Sequence, residues 1–192
     1  MESQRGVAFC CALFYLFIVK KYCLMQVVSN LTLDSILADV IENPILYTPQ
    51  LKMVARMQYL TGARANDVLQ FSRWTLLFDL SVQLQPQKSN NLRLFLPEEI
   101  DPEFYGCLVD NINPFAGLHY RKYEYYLSQI LNKNWFYIGS KKAGSHLFRH
   151  NYARKLKDSG MSDAMVMAKL GEVSTTMANF YIYRTIYSGG LS

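Results

Sequence analysis

The stretch Ser145-His146-Leu147-Phe148-Arg149-His150 is the most informative part of the chain, because it places a histidine and an arginine three residues apart at the predicted start of a helix. Two shorter stretches follow it, Leu170-Gly171-Glu172 and Phe180-Tyr181. A guanidinium group binds two phosphate oxygens at once, and a phenol attacks phosphorus when a base accepts its proton. These stretches therefore contain side chains that can hold a phosphodiester and attack it.

A second arginine stands upstream in Thr61-Gly62-Ala63-Arg64, and Asp67 follows it by three residues. Lys88 comes 24 residues after Arg64, in the turn-like segment Pro86-Gln87-Lys88-Ser89-Asn90-Asn91. Phosphoryl transfer depends on positioning and on neutralising the charge of the phosphate oxygens. A lysine can also protonate the leaving hydroxyl, so these residues complete a set suited to that chemistry.

In chain order, these residues resemble the catalytic domain of the tyrosine recombinase (phage integrase) family, over roughly residues 48–187. Thr61 to Arg64 resembles the first-arginine box, and His146-Leu-Phe-Arg149 resembles the His-x-x-Arg box. Leu170-Gly171-Glu172 lies where the family usually has Leu-Gly-His, and Tyr181 lies nine residues later, at the usual place of the nucleophile. The ordered spacing is the specific feature, since each box alone is common.

The resemblance implies a role for each residue. Arg64 and Arg149 would clamp the scissile phosphate, His146 would bind it and assist proton transfer, and Asp67 would orient Arg64. Lys88 would protonate the leaving 5′-hydroxyl. Tyr181 would attack and form a 3′-phosphotyrosyl link that conserves the bond energy, so neither ATP nor a metal cofactor is required.

Each role has a structural alternative. Arg64 could be a surface arginine after a helix, His146 a satisfied residue in a first helical turn, and Lys88 a solvated lysine at a hairpin tip. Tyr183 and Tyr187 compete with Tyr181 as the nucleophile. On a helix, Tyr183 faces about 200° away from Tyr181, so only one of the two can point into a given site.

Glu172 departs from the family pattern. The usual residue donates a hydrogen bond to a phosphate oxygen, whereas a carboxylate cannot donate and repels phosphate. Neighbouring cations favour the charged form of the carboxyl group. We expect Glu172 to pair with Lys88 or Arg149 before DNA binds. A glutamate at this position predicts an enzyme of reduced activity, an enzyme with altered geometry, or a protein that has lost its activity. We favour the interpretation in which activity is retained.

Composition favours a polyanionic partner. The 192 residues have a net charge of +5, and Lys52 to Lys157 contains fifteen Lys and Arg against eight Asp and Glu. A basic surface of this kind suits nucleic acid. The four cysteines have no disulfide or zinc-ligand spacing, which is typical of reduced thiols in an intracellular protein.

The N-terminal segment, residues 1–30, contains the apolar run Val7 to Val19, which is shorter than the roughly 20 residues of a membrane span. Three interpretations remain open: a buried or partner-facing helix, translated upstream sequence with Met25 as the true start, or a membrane anchor or signal. Residues 31–192 are assigned to the catalytic domain. Because little sequence precedes that domain, the chain resembles the short members that consist of the catalytic domain alone.

Helical spacing predicts a mostly α-helical domain with a small antiparallel β-sheet, an α+β fold of the kind found in DNA breaking-rejoining enzymes. The predicted strands lie within residues 74–84 and 92–96. The predicted helices run from Thr32 to Glu42, Thr48 to Gly62, Ala65 to Phe71, Tyr120 to Leu131, Ser145 to Ser159, Ser162 to Gly171 and Ser174 to Tyr187.

The leading hypothesis is a site-specific recombinase or integrase, encoded by a mobile element, that acts as a homotetramer on two paired sites in duplex DNA. Whether an accessory DNA-binding protein takes part is left open by the sequence. No membrane partner is expected. The expected location is the cytoplasm, in association with the nucleoid. One alternative is a catalytically silent DNA-binding protein. Another is a telomere resolvase or a type IB topoisomerase, which share the chemistry.

Overall fold

The computed structural model describes residues 25–133, 136–138 and 141–189 of the chain. This part is mostly α-helical, with two small antiparallel sheets, as expected for the fold class. The helices are α1 (Asn30–Glu42), α2 (Pro49–Thr61), α3 (Ala65–Leu69), α4 (Pro102–Val109), α5 (Tyr120–Lys133), α6 (His146–Asp158), α7 (Asp163–Leu170) and α8 (Thr175–Tyr183). The strands are β1 (Met25–Val27), β2 (Trp74–Leu76), β3 (Val82–Leu84), β4 (Arg93–Phe95), β5 (Phe136–Ile138), β6 (Lys141–Lys142) and β7 (Ile186–Gly189).

The predicted hairpin sheet is present, with strand order β2-β3-β4. Its registers pair Trp74 with Leu84 and Leu84 with Arg93. The segment with Lys88 connects β3 to β4, as the turn residues predicted. The sheet thereby presents this turn on the same side of the molecule as the α2–α3 junction, where Arg64 lies.

The second sheet was not predicted. Its order is β1-β7-β5-β6, and all its pairings are antiparallel. Met25 pairs with Gly189, so residues 25–30, which were assigned from the sequence to the N-terminal segment, supply a strand and the start of α1. Residues 1–24, with the apolar run and the interpretations attached to it, lie outside the described residues.

Capping explains where several helices begin and end. Thr48 caps α2 by accepting a hydrogen bond from the Leu51 N–H at 3.2 Å, and Gly62 ends that helix in the left-handed conformation with φ 60°. Ser162 caps α7 in the same way, and Gly171 ends it with φ 67°. These boundaries agree with the sequence prediction.

Four predicted boundaries are wrong. Helix α1 begins at Asn30 rather than Thr32, because Ser29 accepts the capping bond. Helix α3 ends at Leu69, before a 3₁₀ turn. Helix α5 ends at Lys133 rather than Leu131. Helix α6 begins where the sequence predicted, although the side chain of its N-cap residue Ser145 makes no capping bond. Helix α8 ends at Tyr183, because the chain turns extended at Arg184 and joins the second sheet as β7.

Two groups of buried side chains position the site. The larger apolar core joins α1, α2, α4, α5 and both sheets. The smaller one joins α6, α7 and α8 through Tyr152, Val166, Leu170, Tyr181 and Ile182. The second group holds the helix that contains Tyr181 against the helix that contains His146 and Arg149.

Candidate active site

A cavity of about 260 Å³ brings together residues that are far apart in sequence. Five of the predicted site residues line it. They come from the start of α3, the β3–β4 turn and the first turn of α6. The lining consists of Arg64, Asp67, Lys88, His146 and Arg149, together with Gln58, Ala63, Ala65, Asn66, Gln87, Tyr120 and Ser145.

Arg149 forms the floor of this arrangement and is only 1% exposed. Its Nη1 donates to the carbonyl oxygen of Gly62 at 2.7 Å, and its Nη2 donates to that of Leu170 at 2.6 Å. Both acceptors are residues at or next to the left-handed ends of helices, whose last carbonyls lack intrahelical partners. The ends of α2 and α7 therefore fix the orientation of the guanidinium group.

Arg64 stands at the N-cap position of α3 and is mostly buried. Its Nη1 lies 3.8 Å from a carboxylate oxygen of Asp67, one turn into the helix. Asp67 is buried and accepts a hydrogen bond from the Gln87 N–H at 2.8 Å. Asp67 therefore links Arg64 to the turn that contains Lys88.

Glu172 is 6% exposed and lies between the two arginines. Its Oε1 accepts from Nη2 of Arg149 at 2.6 Å and from Nη2 of Arg64 at 2.7 Å. The expected pairing with Arg149 is present. The alternative, a pairing with Lys88, is not found among the contacts of the described residues.

Tyr181 packs against Arg149 and is 2% exposed. The guanidinium carbon of Arg149 lies 4.9 Å from the centre of the Tyr181 ring. The phenolic oxygen and Nδ1 of His146 share a hydrogen bond of 3.3 Å. Tyr181, a potential nucleophile, therefore contacts both a potential base and a cation.

The competing tyrosines are placed differently. Tyr183 is exposed, and its hydroxyl donates to the carboxylate of Asp163 at 2.9 Å, away from the arginines. This opposite facing matches the helical geometry expected from the sequence. Tyr187 lies on β7, within the second sheet, rather than on a continuing helix.

His146 is exposed at the mouth of the cavity. Its pKa is lowered from the ordinary value, first by desolvation against the protein and then by the cations Arg149 and Arg64. A lowered pKa keeps the imidazole neutral at pH 7, and a neutral ring has one nitrogen free to accept a proton.

Lys88 is exposed in the β3–β4 turn, and its neighbours hold that turn in place. The hydroxyl of Ser89 donates to the carbonyl oxygen of Gly171 at 2.8 Å. The amide of Asn91 donates to the carbonyl oxygen of Glu172 at 3.2 Å. The position of Lys88 is thereby tied to the end of α7, from which Glu172 extends.

His150 is a residue of the site to which the sequence pattern assigned no role. It is buried, and its Nδ1–H donates to the carbonyl oxygen of Tyr181 at 3.0 Å, while its Nε2 has no partner among the described residues. Burial lowers its pKa to about 3. The only sequence feature that pointed to His150 was its position in α6, one residue after Arg149. Its hydrogen-bond partner comes from α8 and is brought close by the packing of the two helices.

Gln58 is a second residue of the site that was not predicted. It is buried beneath the cavity, where its amide accepts from the Tyr123 hydroxyl at 2.7 Å and donates to the carbonyl oxygen of Ala63 at 3.3 Å. These bonds join α2 and α5 to the backbone just before Arg64. Nothing in the local sequence distinguishes this glutamine from a surface residue.

The sequence matches no family model and no curated protein. The structure is nevertheless similar to XerH site-specific recombinase in its post-cleavage complex with palindromic difH substrate, with a TM-score of 0.58 at 16% identity over 83% of this chain and 49% of XerH. XerA recombinase matches with a TM-score of 0.52 at 16% identity, over 82% of this chain and 57% of XerA. The fold is that of the tyrosine recombinases.

A third solved structure has the same tyrosine recombinase fold. The integrase of transposon Tn1549, in complex with a circular intermediate DNA, has a TM-score of 0.50 at 14% identity, over 83% of this chain and 62% of the integrase. This chain therefore spans about half to three fifths of the recombinases that it resembles. At these identities the similarity shows the fold alone.

Two further findings concern the described part of the chain. No helix there is long and apolar enough to cross a membrane. No three His, Cys, Asp or Glu side chains of that part cluster in a way that could hold a metal ion.

Proposed function

We propose that this protein is a site-specific DNA recombinase that cleaves and rejoins duplex DNA through a 3′-phosphotyrosyl intermediate. The observation that carries the proposal is the contact of Tyr181 with His146 and Arg149, two residues that line the cavity together with Arg64 and Lys88. The recombinase fold supports the same chemistry. As in the sequence-based hypothesis, a homotetramer on two paired sites would perform strand exchange.

The proposed cleavage begins with phosphate binding. Arg64 and Arg149 donate to the non-bridging oxygens, which neutralises charge that develops as the phosphorus atom is attacked. Both guanidinium groups are held by backbone or carboxylate partners before DNA arrives. Such preorganisation reduces the rearrangement needed at the moment of reaction.

Proton transfer accompanies the attack. Neutral His146 accepts the phenolic proton of Tyr181 across the 3.3 Å hydrogen bond, and the phenolic oxygen forms a bond to phosphorus. The bond between phosphorus and the 5′-oxygen breaks, and Lys88 protonates that oxygen. Rejoining is the reverse reaction, in which a 5′-hydroxyl attacks the phosphotyrosyl bond. Because Tyr181 is buried without DNA, α8 must shift to bring the hydroxyl to the phosphate.

The test is covalent trapping on a library of nicked suicide duplexes, with detection of a denaturation-resistant protein–DNA band. We expect the unmodified protein and the matched control Tyr183→Phe to form the band, and Tyr181→Phe to lose it. A band that survives in Tyr181→Phe and disappears in Tyr183→Phe would assign the nucleophile to Tyr183 and contradict the proposed site.

A second candidate function is a catalytically silent DNA-binding protein. The specific observation in its favour is that Glu172 engages both arginines that would otherwise bind phosphate. Duplex DNA binding without a covalent band, in the unmodified protein and in Glu172→His alike, would support this second function. Relaxation of supercoiled DNA without strand exchange between two sites would instead indicate a topoisomerase or resolvase.

A further inference from the structure

Glu172 occupies the position between the two arginines that a phosphate oxygen would need. A single oxygen, Oε1, accepts hydrogen bonds from Nη2 of Arg64 and from Nη2 of Arg149, at 2.7 and 2.6 Å. A phosphate oxygen bound by both arginines would make the same two contacts. The carboxylate is therefore arranged as an internal substitute for the phosphate.

Arg149 has a hydrogen-bond donor that is not used by Glu172 or by the backbone. This residue is 1% exposed, yet its Nε–H has no hydrogen-bond partner among the described residues. In a guanidinium group, the Nε–H and one Nη2–H lie on the same edge and can bind two oxygens of one anion. A phosphate on that edge would use the free Nε–H and would compete with Glu172 for Nη2.

The charges around the cavity only moderately favour the replacement of the Glu172 carboxylate by a phosphate. Arg64, Lys88 and Arg149 contribute three positive charges, and Asp67 and Glu172 contribute two negative ones. With Glu172 in place, the site has one excess positive charge to offer a phosphodiester. Loss of the Glu172 charge would double that excess and would also remove a like charge adjacent to the anion.

The backbone at Glu172 is held, so the exchange requires only a side-chain movement. Its N–H donates to the carbonyl oxygen of Met167 at 3.1 Å, and its carbonyl oxygen accepts from Asn91. Gly171 has φ 67°, and a Cβ atom there would lie 2.9 Å from the Arg93 side chain, so this turn has little freedom. Displacement of the carboxylate would therefore be a movement of the side chain, with the ends of α7 and the β3–β4 turn in place.

We propose that Glu172 is an internal competitor that occupies the arginine pair in the DNA-free protein and is displaced by the scissile phosphate. The inference rests on the proposed function, because it takes the arginine pair to be the phosphate site of that reaction. Glu172 thus limits phosphate affinity and restrains cleavage until DNA contacts elsewhere supply the energy to displace it.

The first test is isothermal titration of the full chain with inorganic phosphate at constant ionic strength. We expect Glu172→Gln to bind phosphate about tenfold more tightly than the unmodified protein. The matched control is Glu99→Gln, which removes a carboxylate that pairs with Lys169 at 3.1 Å outside the cavity, and we expect it to leave phosphate affinity unchanged. Equal affinities of the unmodified protein and Glu172→Gln would overturn the inference.

A second variant covers the case in which Glu172→Gln does not fold. Glu172→Asp keeps the charge but shortens the side chain, so its carboxylate cannot contact both arginines from the same backbone position. We expect an intermediate phosphate affinity, and an increase in the melting temperature on addition of phosphate that exceeds the increase for the unmodified protein. An affinity no higher than that of the unmodified protein would overturn the inference.

Covalent trapping separates this inference from the proposed function. Tighter phosphate binding by Glu172→Gln together with more covalent adduct supports both. Tighter phosphate binding without adduct from any variant supports the internal competitor and contradicts the proposed strand cleavage. Adduct from the unmodified protein with no gain in phosphate affinity for either Glu172 variant supports the cleavage and contradicts the competitor.

Discussion

Among single residues, the buried His150 makes the stability of the folded protein depend on pH. Burial lowers its pKa to about 3 in the folded protein, against an ordinary value near 6.5 in the unfolded chain. Between these values the unfolded state binds a proton that the folded state does not, so stability is complete above about pH 6.5 and is lost as the pH falls. We expect the free energy of unfolding to decrease by about 2 kcal/mol from pH 7 to pH 5 through this residue.

Chemical denaturation at several pH values measures this effect. His150→Gln retains a side-chain N–H donor but does not titrate, so most of the pH dependence in this range should disappear. His146, whose pKa is also lowered, contributes in the same direction. The matched control is His119→Gln at an exposed position, which should keep the full slope. An undiminished slope in His150→Gln would show that this histidine is not held neutral.

At the scale of elements, the end of α2 supports the arginine clamp. Gly62 has φ 60°, and a Cβ atom there would lie 2.5 Å from the Tyr152 ring. Its carbonyl oxygen also accepts from Arg149. We expect Gly62→Ala to destabilise the protein by about 2–4 kcal/mol, from left-handed strain and overpacking together. The unfolding midpoint in urea measures this change, and covalent trapping should show a parallel loss of adduct.

The control for that prediction is a glycine inside a helix. A Cβ atom added at Gly106 in α4 would meet no other side chain within 4 Å, and the φ of this residue lies in the ordinary range. Gly106→Ala should therefore stabilise the protein slightly, by about 0.5–1 kcal/mol, through helix propensity. Similar destabilisation of both variants would indicate that the Gly62 turn is not specifically constrained.

For the whole molecule, the second sheet joins the two ends of the described chain next to α8, the helix that contains Tyr181. Strand β7 follows α8 directly, pairs with β1 and β5, and buries Ile186 completely. We expect Ile186→Ala to cost about 2–5 kcal/mol, as for other large-to-small changes in a core. It should also increase hydrogen exchange in α8, because the strand that anchors that helix is loosened.

Val27 on β1 provides the comparison, since its side chain is 68% exposed. Val27→Ala removes apolar atoms from the same sheet without opening a cavity, so its stability should change by no more than about 0.5 kcal/mol. If Ile186→Ala leaves hydrogen exchange in α8 at the level of Val27→Ala, the sheet does not stabilise that helix.

The hairpin and most helices could be predicted from the sequence because their causes are local. Thr48-Pro49 starts α2, and Gly62 and Gly171 end helices by adopting the left-handed conformation. The order of Arg64, Lys88, His146, Arg149 and Tyr181 indicated the recombinase fold that the structural comparisons show. The roles of these residues in cleavage stay predictions.

The second sheet could not be predicted because its strands have only two to four residues and lack a readable period. Their pairing joins Met25 to Gly189, a contact set by tertiary packing rather than by neighbouring residues. The same pairing ends α8 at Tyr183, although the helical pattern of the sequence continues to Tyr187.

The fold class, the hairpin with Lys88 and the set of side chains available for phosphodiester chemistry could be predicted from the sequence, because they follow from local capping, periodicity and residue order. The pairing of Glu172 with both Arg64 and Arg149, and the burial of Tyr181 against His146, are seen only in the folded chain. These contacts join residues at the start of α3, in α6, at the end of α7 and in α8, and the relative positions of these helices depend on how the two cores pack.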